Sequence, residues 1–221
     1  MDILGNLEAD LGLGSGTPAS DAPAAPDVAP AVPAPAAVER FAACLAFTWL
    51  PQFDGQSLHV TPHDAGGATA WGVTLSTYAA WRRKQGIADT TVSDLASASK
   101  DGLAKLIRAE YWDAVHGDEL PAGVDLLVYD FGFGSGSGTS CKVLQAVLGV
   151  PADGALGPKS LGAAAAMDRG DLIRKLAARH EAFYQSLHDY QFFGHGWTNR
   201  NNARLVAALA TLPPAADAPV A

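Results

Sequence analysis

The stretch "TWLPQFDGQSLHVTPHDAGGATAWGVT", residues 48–74, decides how the rest of the sequence is interpreted. It is rich in Gly, Pro, Asp, His and Ser and lies between two helical patterns, which predicts a turn or a short hairpin. Asp64 lies in its tightest part, where Gly66 and Gly67 let the backbone turn sharply and the Thr69 hydroxyl could position a water molecule. An aspartate that caps such a turn is the ordinary structural interpretation, and a carboxylate held across a cleft is the functional one.

Hydrolysis of a glycosidic bond needs two carboxyl groups, one on each side of the bond. One carboxyl group stays protonated and gives its proton to the leaving oxygen, and the other stays ionised and activates water or supports the oxocarbenium charge. Apolar residues at helical spacing from Val38 predict a helix that Pro51 ends, because proline disfavours helical geometry in the residue before it. Asp54 follows the end of this helix and is the nearest carboxyl group before Asp64. A helix followed by a turn that returns a carboxylate across a cleft is one way to build such a pair, and Asp64 lies in such a turn.

The composition limits the partners of the chain. Hydrophobic residues make up 48% and charged residues 17% of the 221 residues, which is enough for a sizeable core. Residues 1–37 carry five acidic side chains and no Lys or Arg, so much of the net charge of −8 lies there. No cluster of basic residues indicates a nucleic-acid surface, and no apolar run approaches the ~20 residues of a membrane span. The start "MDILGNLEAD" lacks the basic and apolar regions of an ordinary signal peptide, so any export would use another route.

The pattern along the chain predicts a linker followed by a mainly α-helical domain. The Pro/Ala tract of residues 15–37 cannot bury a core and predicts an extended segment. The apolar segment "AGVDLLVYDFGF", residues 122–133, is a buried helix or strand that the period of its side chains does not decide. Cys44 and Cys141 lie in apolar helix-like stretches, which favours two buried thiols over a disulfide. Other helices are expected at residues 74–85, 99–111, 160–167, 172–190 and about 200–209, and one that the glycine loop opens and that runs through Val143, Leu144 and Leu148.

Three motifs in order resemble one family. "PHDAGGATAWGVT", residues 62–74, resembles the P-x-D-x-G-G-x-T-x-x-G-[IV]-T motif of glycoside hydrolase family 108, which are muramidases of lysozyme-like fold. "YWDAVHGDELPAGVDLLVYDF", residues 111–131, is similar to that family's Y-W-D…L-P-x-G-V-D…D-F stretch. "LQAVLGVPADGALGPKSL", residues 144–161, is similar to its C-terminal peptidoglycan-binding segment.

The resemblance implies a mainly α, lysozyme-like fold with a small turn or hairpin insertion and a helical C-terminal lobe. Together with the composition of the chain, it predicts a disordered linker, a catalytic-type domain, a peptidoglycan-binding lobe and a disordered tail, at residues 1–37, 38–120, 121–212 and 213–221. It implies a phage-type or prophage-type bacteriolytic hydrolase of the β-1,4 bond between N-acetylmuramic acid and N-acetylglucosamine. Peptidoglycan is then the partner of a monomer that is made in the bacterial cytoplasm and acts in the cell wall.

The sequence departs from the family where the catalytic acid is expected. In the family the first helix ends in E-G-G-[YF], with the glutamate about nine positions before the aspartate of the turn. Matching the aromatic residue puts Leu50 at the glutamate, and leucine has no proton to give. Matching the spacing instead puts Asp54 there, one methylene shorter than glutamate. Either the chain is an active hydrolase that uses Asp54, or it is a catalytically impaired protein of a phage or secretion apparatus that binds peptidoglycan without cutting it.

The expected site follows from these readings. Asp54 is the provisional acid, Asp64 the second carboxylate and Thr69 the residue that positions water. Substrate-binding roles are expected for four residues in the same stretch: Trp71, which could stack on a sugar ring, with His63, Gly66 and Gly67. A metal site formed by His59, His63 and Asp64 is disfavoured because no cysteine pair lies nearby, and no cofactor is expected.

Overall fold

The helix before the quoted stretch ends as its sequence predicts. The computed structural model of the protein describes residues 37–60 and 67–214, and helix α1 (Ala37–Thr48) ends before Pro51. Three short strands follow, β1 (His59–Val60), β2 (Ala68–Ala70) and β3 (Val73–Thr74). They pair antiparallel in the order β1-β2-β3, with Thr69 opposite His59 on one side and Thr74 on the other. The predicted turn or hairpin is a small three-stranded sheet.

The rest of the described chain is helical. The first group is α2 (Leu75–Lys84), α3 (Val92–Ala96), α4 (Lys100–Ile107), a π-helical turn (Arg108–Trp112) and a 3₁₀ turn (Asp113–Val115). The second group is α5 (Val124–Ser135), α6 (Ser137–Leu148), α7 (Pro158–Ala166), α8 (Arg169–Ser186) and α9 (Tyr190–Leu209). No helix in these described ranges is long and apolar enough to cross a membrane.

Local sequence signals start several of these helices. The Thr74 hydroxyl accepts a hydrogen bond from the Thr77 amide, and the Ser99 hydroxyl accepts one from the Gly102 amide. Each satisfies an amide that has no partner inside its own helix. Pro158 occupies the first turn of α7, where its missing N–H removes no intrahelical bond.

Helix α5 resolves the ambiguity of the apolar segment. Its residues from Val124 to Phe133 are all buried, and it packs against α1, α6, α8 and α9. A helix that is covered on every side has no polar face, so no period of 3.6 residues appears in its sequence. The central position of α5 explains why the sequence could not show whether residues 122–133 form a helix or a strand.

The predicted boundaries of the last two helices were wrong. The segment 172–190 is not one helix, because α8 begins at Arg169 and ends at Ser186, and α9 begins at Tyr190 rather than at residue 200. Gly194, between the two predicted helices, lies inside α9, where an added Cβ would be 2.8 Å from the Tyr190 ring. Close side-chain packing, not a turn, requires this glycine.

The predicted helix 99–111 also differs from the structure. The α-helical part ends at Ile107 and continues as the π-helical turn. In this wider turn Trp112 is fully buried, and the Tyr111 ring packs 4.9 Å from the Phe133 ring of α5. Such turns are frequent near functional sites.

One hydrophobic core joins the two parts that the sequence divided at residue 120. The described residues all fall within the compact unit Pro35–Ala221, and the core cluster contains residues from both sides of the boundary. The separate roles of residues 38–120 and 121–212 stay a prediction. The predicted linker, apart from residue 37, and most of the predicted tail lie outside the described residues. Cys44 and Cys141 are buried free thiols, as predicted.

Candidate active site

The chain turns back on the end of α1 after Leu50. The amide of Phe53 donates to the Leu50 carbonyl at 2.8 Å, and the amide of Asp54 donates to the Thr48 carbonyl at 3.1 Å. Gly55 fits only because it has no side chain, since an added Cβ would lie 2.1 Å from the Trp49 carbonyl oxygen. This turn brings the backbone of Asp54 to the carboxyl end of the helix, although five residues separate it from the last helical one.

The Asp54 carboxylate is held from the far end of the chain. Its Oδ2 atom lies 2.5 Å from Nη1 of Arg200 on α9, and 27% of the Asp54 side chain is exposed. Gly72, which links β2 to β3, lies against it, since an added Cβ there would be 2.8 Å from the Asp54 Cβ atom and 2.4 Å from the Phe133 ring. Asp54 is thus enclosed between the end of α1, the sheet and α9, with one side open to solvent.

A buried set of charges lies behind Asp54. We call Asp130, Thr48, Arg200 and Arg204 the Asp130 cluster. Asp130 on α5 accepts hydrogen bonds from Nε and Nη2 of Arg200 at 3.0 and 2.6 Å. It also accepts from Nε of Arg204 at 2.8 Å and from the Thr48 hydroxyl at 2.7 Å.

The charged side chains of the Asp130 cluster shift one another's pKa values. Burial alone would raise the pKa of Asp130, but the two guanidinium groups outweigh it and hold that pKa below its usual value of 3.8. Burial would lower the pKa of Arg200, but its two aspartates outweigh that effect and raise it. The cluster is therefore ionised at neutral pH and fixed in one arrangement, as buried charges must be.

The sheet places two of the predicted site residues. Thr69 on β2 is 9% exposed, and its hydroxyl donates to the Gly67 carbonyl at 3.1 Å. Gly67 has a φ of +66°, the left-handed region that the predicted sharp turn needs. The role of Thr69 in positioning water stays a prediction. In this structure its hydroxyl donates its hydrogen bond within its own turn. His63, Asp64 and Gly66 lie outside the described residues.

Trp71 lies next to the Asp54 site in a tightly fixed backbone. Its φ is +52°, its amide donates to the Gln56 carbonyl at 2.8 Å, and its carbonyl accepts from Nε1 of Trp49 at 3.0 Å. The Nζ atom of Lys100 lies 3.6 Å from the centre of the Trp71 ring, a cation–π contact. The ring is half-buried, and Lys100 covers part of the surface that could stack on a sugar.

Leu50 and Asp54 both lie near the end of α1, but their settings differ. Leu50 is half-buried and provides backbone carbonyl contacts to Phe53 and Gly55. Asp54 carries the only carboxyl group that the described part of this turn presents, since residues 49–56 contain no other acidic side chain. The geometry thus offers Asp54, and not Leu50, for chemistry.

Sequence reasoning missed the residues of the Asp130 cluster. A single aspartate within the apolar run of α5 is a signal, because a buried carboxylate requires a partner. Arg200 and Arg204 are four residues apart and so share one face of a helix. Neither signal identifies the pairing, which joins positions 70 residues or more apart.

Comparisons with known proteins bear on this geometry. The family described as Glycosyl hydrolase 108 has a model that matches residues 49–136. Eleven chains of solved structures are similar to this chain at a significant level. One is described as "Structure of Brucella abortus SagA"; it is 34% identical, has a TM-score of 0.71, and the match covers 78% of this chain and 95% of that chain. This chain belongs to the glycosyl hydrolase 108 family. No curated protein sequence matches it at a significant level.

These matches confirm the predicted family and the predicted mainly α, lysozyme-like fold. At the level of the family, the chain is a lysozyme-like peptidoglycan hydrolase. The matched range contains Leu50, Asp54, Asp64, Thr69 and Trp71. It ends within the first residues after α5, so Asp130 lies inside it and Arg200 lies outside it.

Proposed function

We propose that this glycosyl hydrolase 108 protein cleaves the β-1,4 bond between N-acetylmuramic acid and N-acetylglucosamine in peptidoglycan. The observation that carries the proposal is the position of Asp54. A part-exposed carboxyl group stands at the end of α1, with Oδ2 on Arg200, and the structure gives its Oδ1 atom no hydrogen bond from a described residue. An oxygen in that setting is available to a substrate.

In this proposal Asp54 and Asp64 are the two carboxyl groups that a glycosidase needs. Asp54 gives the proton to the leaving oxygen, and Asp64 activates water or supports the developing positive charge, with Thr69 positioning the water. Trp71, beside Gly72, offers a stacking surface for a sugar ring. Asp64, His63 and Gly66 are assigned from their motif, and Asp54 from its geometry.

The first experiment measures release of reducing sugar from purified peptidoglycan, with mass spectrometry of the fragments. The native chain is expected to release fragments whose new reducing end is N-acetylmuramic acid. Asp64→Ala and Asp54→Asn are each expected to lower this release by ~10²–10⁴-fold while the far-UV circular dichroism is kept. A native rate no higher than that of Asp64→Ala would reject the proposal.

A second function is favoured by the charge balance around Asp54. Two arginines and two aspartates lie together, and their charges cancel when Asp54 is ionised. An ionised carboxylate has no proton to donate, and Leu50 has none either. The chain would then bind peptidoglycan strands in the same cleft without cutting them.

Leu50→Glu separates the two functions. If the chain lacks only its proton donor, a carboxyl group at position 50 should introduce cleavage, since general acid catalysis is worth ~10²–10⁴-fold in rate. The non-cutting function is supported by a gain in Leu50→Glu together with no effect of Asp54→Asn. Loss of a native rate in Asp54→Asn, with no gain in Leu50→Glu, supports Asp54 as the working acid.

A further inference from the structure

The guanidinium group of Arg200 divides its donors between two carboxylates. Nε and Nη2 form the two contacts to Asp130, and Nη1 contacts Asp54. Because the guanidinium group is planar, two contacts to one carboxylate fix its plane and leave Nη1 pointing in one direction. The place where the Asp54 oxygen is held is therefore set by the place of Asp130.

Asp130 is a rigid anchor for this arrangement. It is fully buried in α5, and its oxygens are also bound by Arg204 and by the Thr48 hydroxyl. Thr48 is the last residue of α1, so the same anchor fixes the end of the helix to which Asp54 returns. The Cζ atom of Arg200 also lies 5.2 Å from the centre of the Phe53 ring, in the turn that carries Asp54.

We propose that Arg200 is a positioning residue for Asp54, and that α9 therefore forms part of the working site. This inference rests on the proposed hydrolase function and extends it to a residue outside the matched family range. Because Arg200 holds Oδ2, Oδ1 is the oxygen of Asp54 that is left for a glycosidic oxygen. The C-terminal helices then act in cleavage itself as well as in any attachment to the cell wall.

A merely structural ion pair is the competing explanation, and the chain contains a matched control for it. Arg40 on α1 pairs with Asp125 on α5 at 3.1 Å, and the side chains of Arg40 and Arg200 are 12% and 16% exposed. Each arginine joins a different helix to α5 through a buried aspartate. Arg40 has no contact with Asp54, so Arg40→Met removes a similar ion pair without touching the site.

The experiment compares full-length native protein, Arg200→Met, Arg200→Lys and Arg40→Met on soluble peptidoglycan strands. Misplacement of a reacting group by about 1 Å costs ~10²-fold in rate. We expect kcat of Arg200→Met to fall by about that factor with KM little changed, and Arg200→Lys to recover part of the loss because lysine supplies one charged donor without the fork. Arg40→Met should keep the native kcat although its unfolding midpoint falls.

A double variant tests whether Arg200 acts through Asp54. Adding Arg200→Met to Asp54→Asn should lower the remaining rate no further, because the group that Arg200 positions is already lost. Equal losses of kcat in Arg200→Met and Arg40→Met, or a native kcat in Arg200→Met, would overturn the inference. If Arg200→Met does not fold, Arg200→Lys is judged by the same comparison with Arg40→Met.

A test that does not depend on hydrolysis separates failure of the positioning inference from failure of the proposed function. If the native chain releases no reducing sugar, the hydrolase proposal fails, and the positioning is read from the ¹³C signal of the Asp54 carboxyl group in labelled full-length protein. A signal that changes in Arg200→Met or Arg200→Lys and not in Arg40→Met supports the positioning of Asp54. An unchanged signal in the Arg200 variants overturns it.

Discussion

Two ion-pair regions at opposite ends of α1 use the same residue types for different purposes. At the start of the helix, Arg40 pairs with Asp125 and gives its remaining contacts to the carbonyls of Gly117, Asp118 and Leu120 at 2.6–3.2 Å. Asp125 in turn accepts from the amides of Gly123 and Leu126. We call this set the Asp125 cluster. Apart from the Arg40–Asp125 ion pair itself, the contacts named here are to backbone groups.

In the Asp130 cluster, at the other end of α1, the remaining contact of the arginine is not to a backbone group. Its buried aspartate is held as firmly, but Arg200 directs its third donor to Asp54, whose side chain is part-exposed. The difference between the clusters lies in the last contact of the arginine, a carbonyl in one and a cleft carboxylate in the other. The two clusters therefore differ in whether the buried ion pair also contacts a part-exposed carboxylate, and only the Asp130 cluster does so.

The largest expected difference between the clusters is in rate. Under the hydrolase proposal, Asp54→Asn should lower the initial rate of reducing-sugar release by ~10²–10⁴-fold, because it removes a group that can transfer a proton. Asp125→Asn should leave the rate of the folded protein close to native. Equal rate losses in the two variants would remove the distinction between the clusters.

The next difference is in stability. Asp130→Ala leaves the charge of Arg204 fully buried with no carboxylate, which should lower the free energy of unfolding by ~3–5 kcal/mol. Asp125→Ala should cost less, because Arg40 keeps its contacts to three backbone carbonyls. Urea unfolding followed by circular dichroism measures both values. A smaller loss in Asp130→Ala than in Asp125→Ala would contradict this ranking.

A smaller loss of stability is expected from alanine substitutions at Gly72, which packs against Asp54, and at Gly67, which does not. Gly72 has a φ of +76° and no room for a Cβ, whereas Gly67 has a φ of +66° and no atom of the described residues within 4 Å of an added Cβ. Both alanine variants incur backbone strain, but Gly72→Ala should lose a further ~1–3 kcal/mol through overlap with Phe133 and Asp54. Thermal unfolding compares the two, and equal losses would mean that the contact at Gly72 relaxes freely.

The smallest expected effect is the opposite pH dependence of the two buried aspartates. The pKa of Asp130 is lowered, as described, whereas burial raises the pKa of Asp125 in spite of Arg40. Asp130 therefore contributes stability above its unfolded pKa of about 4, and this contribution is lost as the pH falls further. Asp125 makes its contribution below about pH 4 and loses it as the pH rises through its raised folded pKa.

Urea unfolding of Asp130→Asn and Asp125→Asn against the native chain at pH 7 and pH 3 checks these signs. The stability deficit of Asp130→Asn should shrink on acidification, and that of Asp125→Asn should grow. A deficit that moves in the same direction in both variants would contradict the assignment.

Membership of the family and the class of fold could be predicted because both depend on local signals. Helix caps at Thr74 and Ser99 and the proline after α1 act within a few residues. The motif of residues 62–74 combines the glycines of the sharp turn with the Thr74 cap in a fixed order. The two candidate acid positions followed from the resemblance to the family motif, Leu50 from matching its aromatic residue and Asp54 from matching its spacing. The boundary between α8 and α9 did not, because Gly194 is a packing residue that has the same sequence signal as a turn.

The amino-acid sequence by itself determined that this is a mainly α, lysozyme-like member of glycosyl hydrolase 108. Only the tertiary structure decided that Asp54 returns to the end of α1 and is held by Arg200, and that α5 is a helix. These features depend on contacts between residues far apart in the chain, such as Thr48 with Asp130 and Asp54 with Arg200. Burial makes such pairings necessary, because a charge removed from water is costly unless an opposite charge lies next to it. Only the folded chain decides which opposite charge that is.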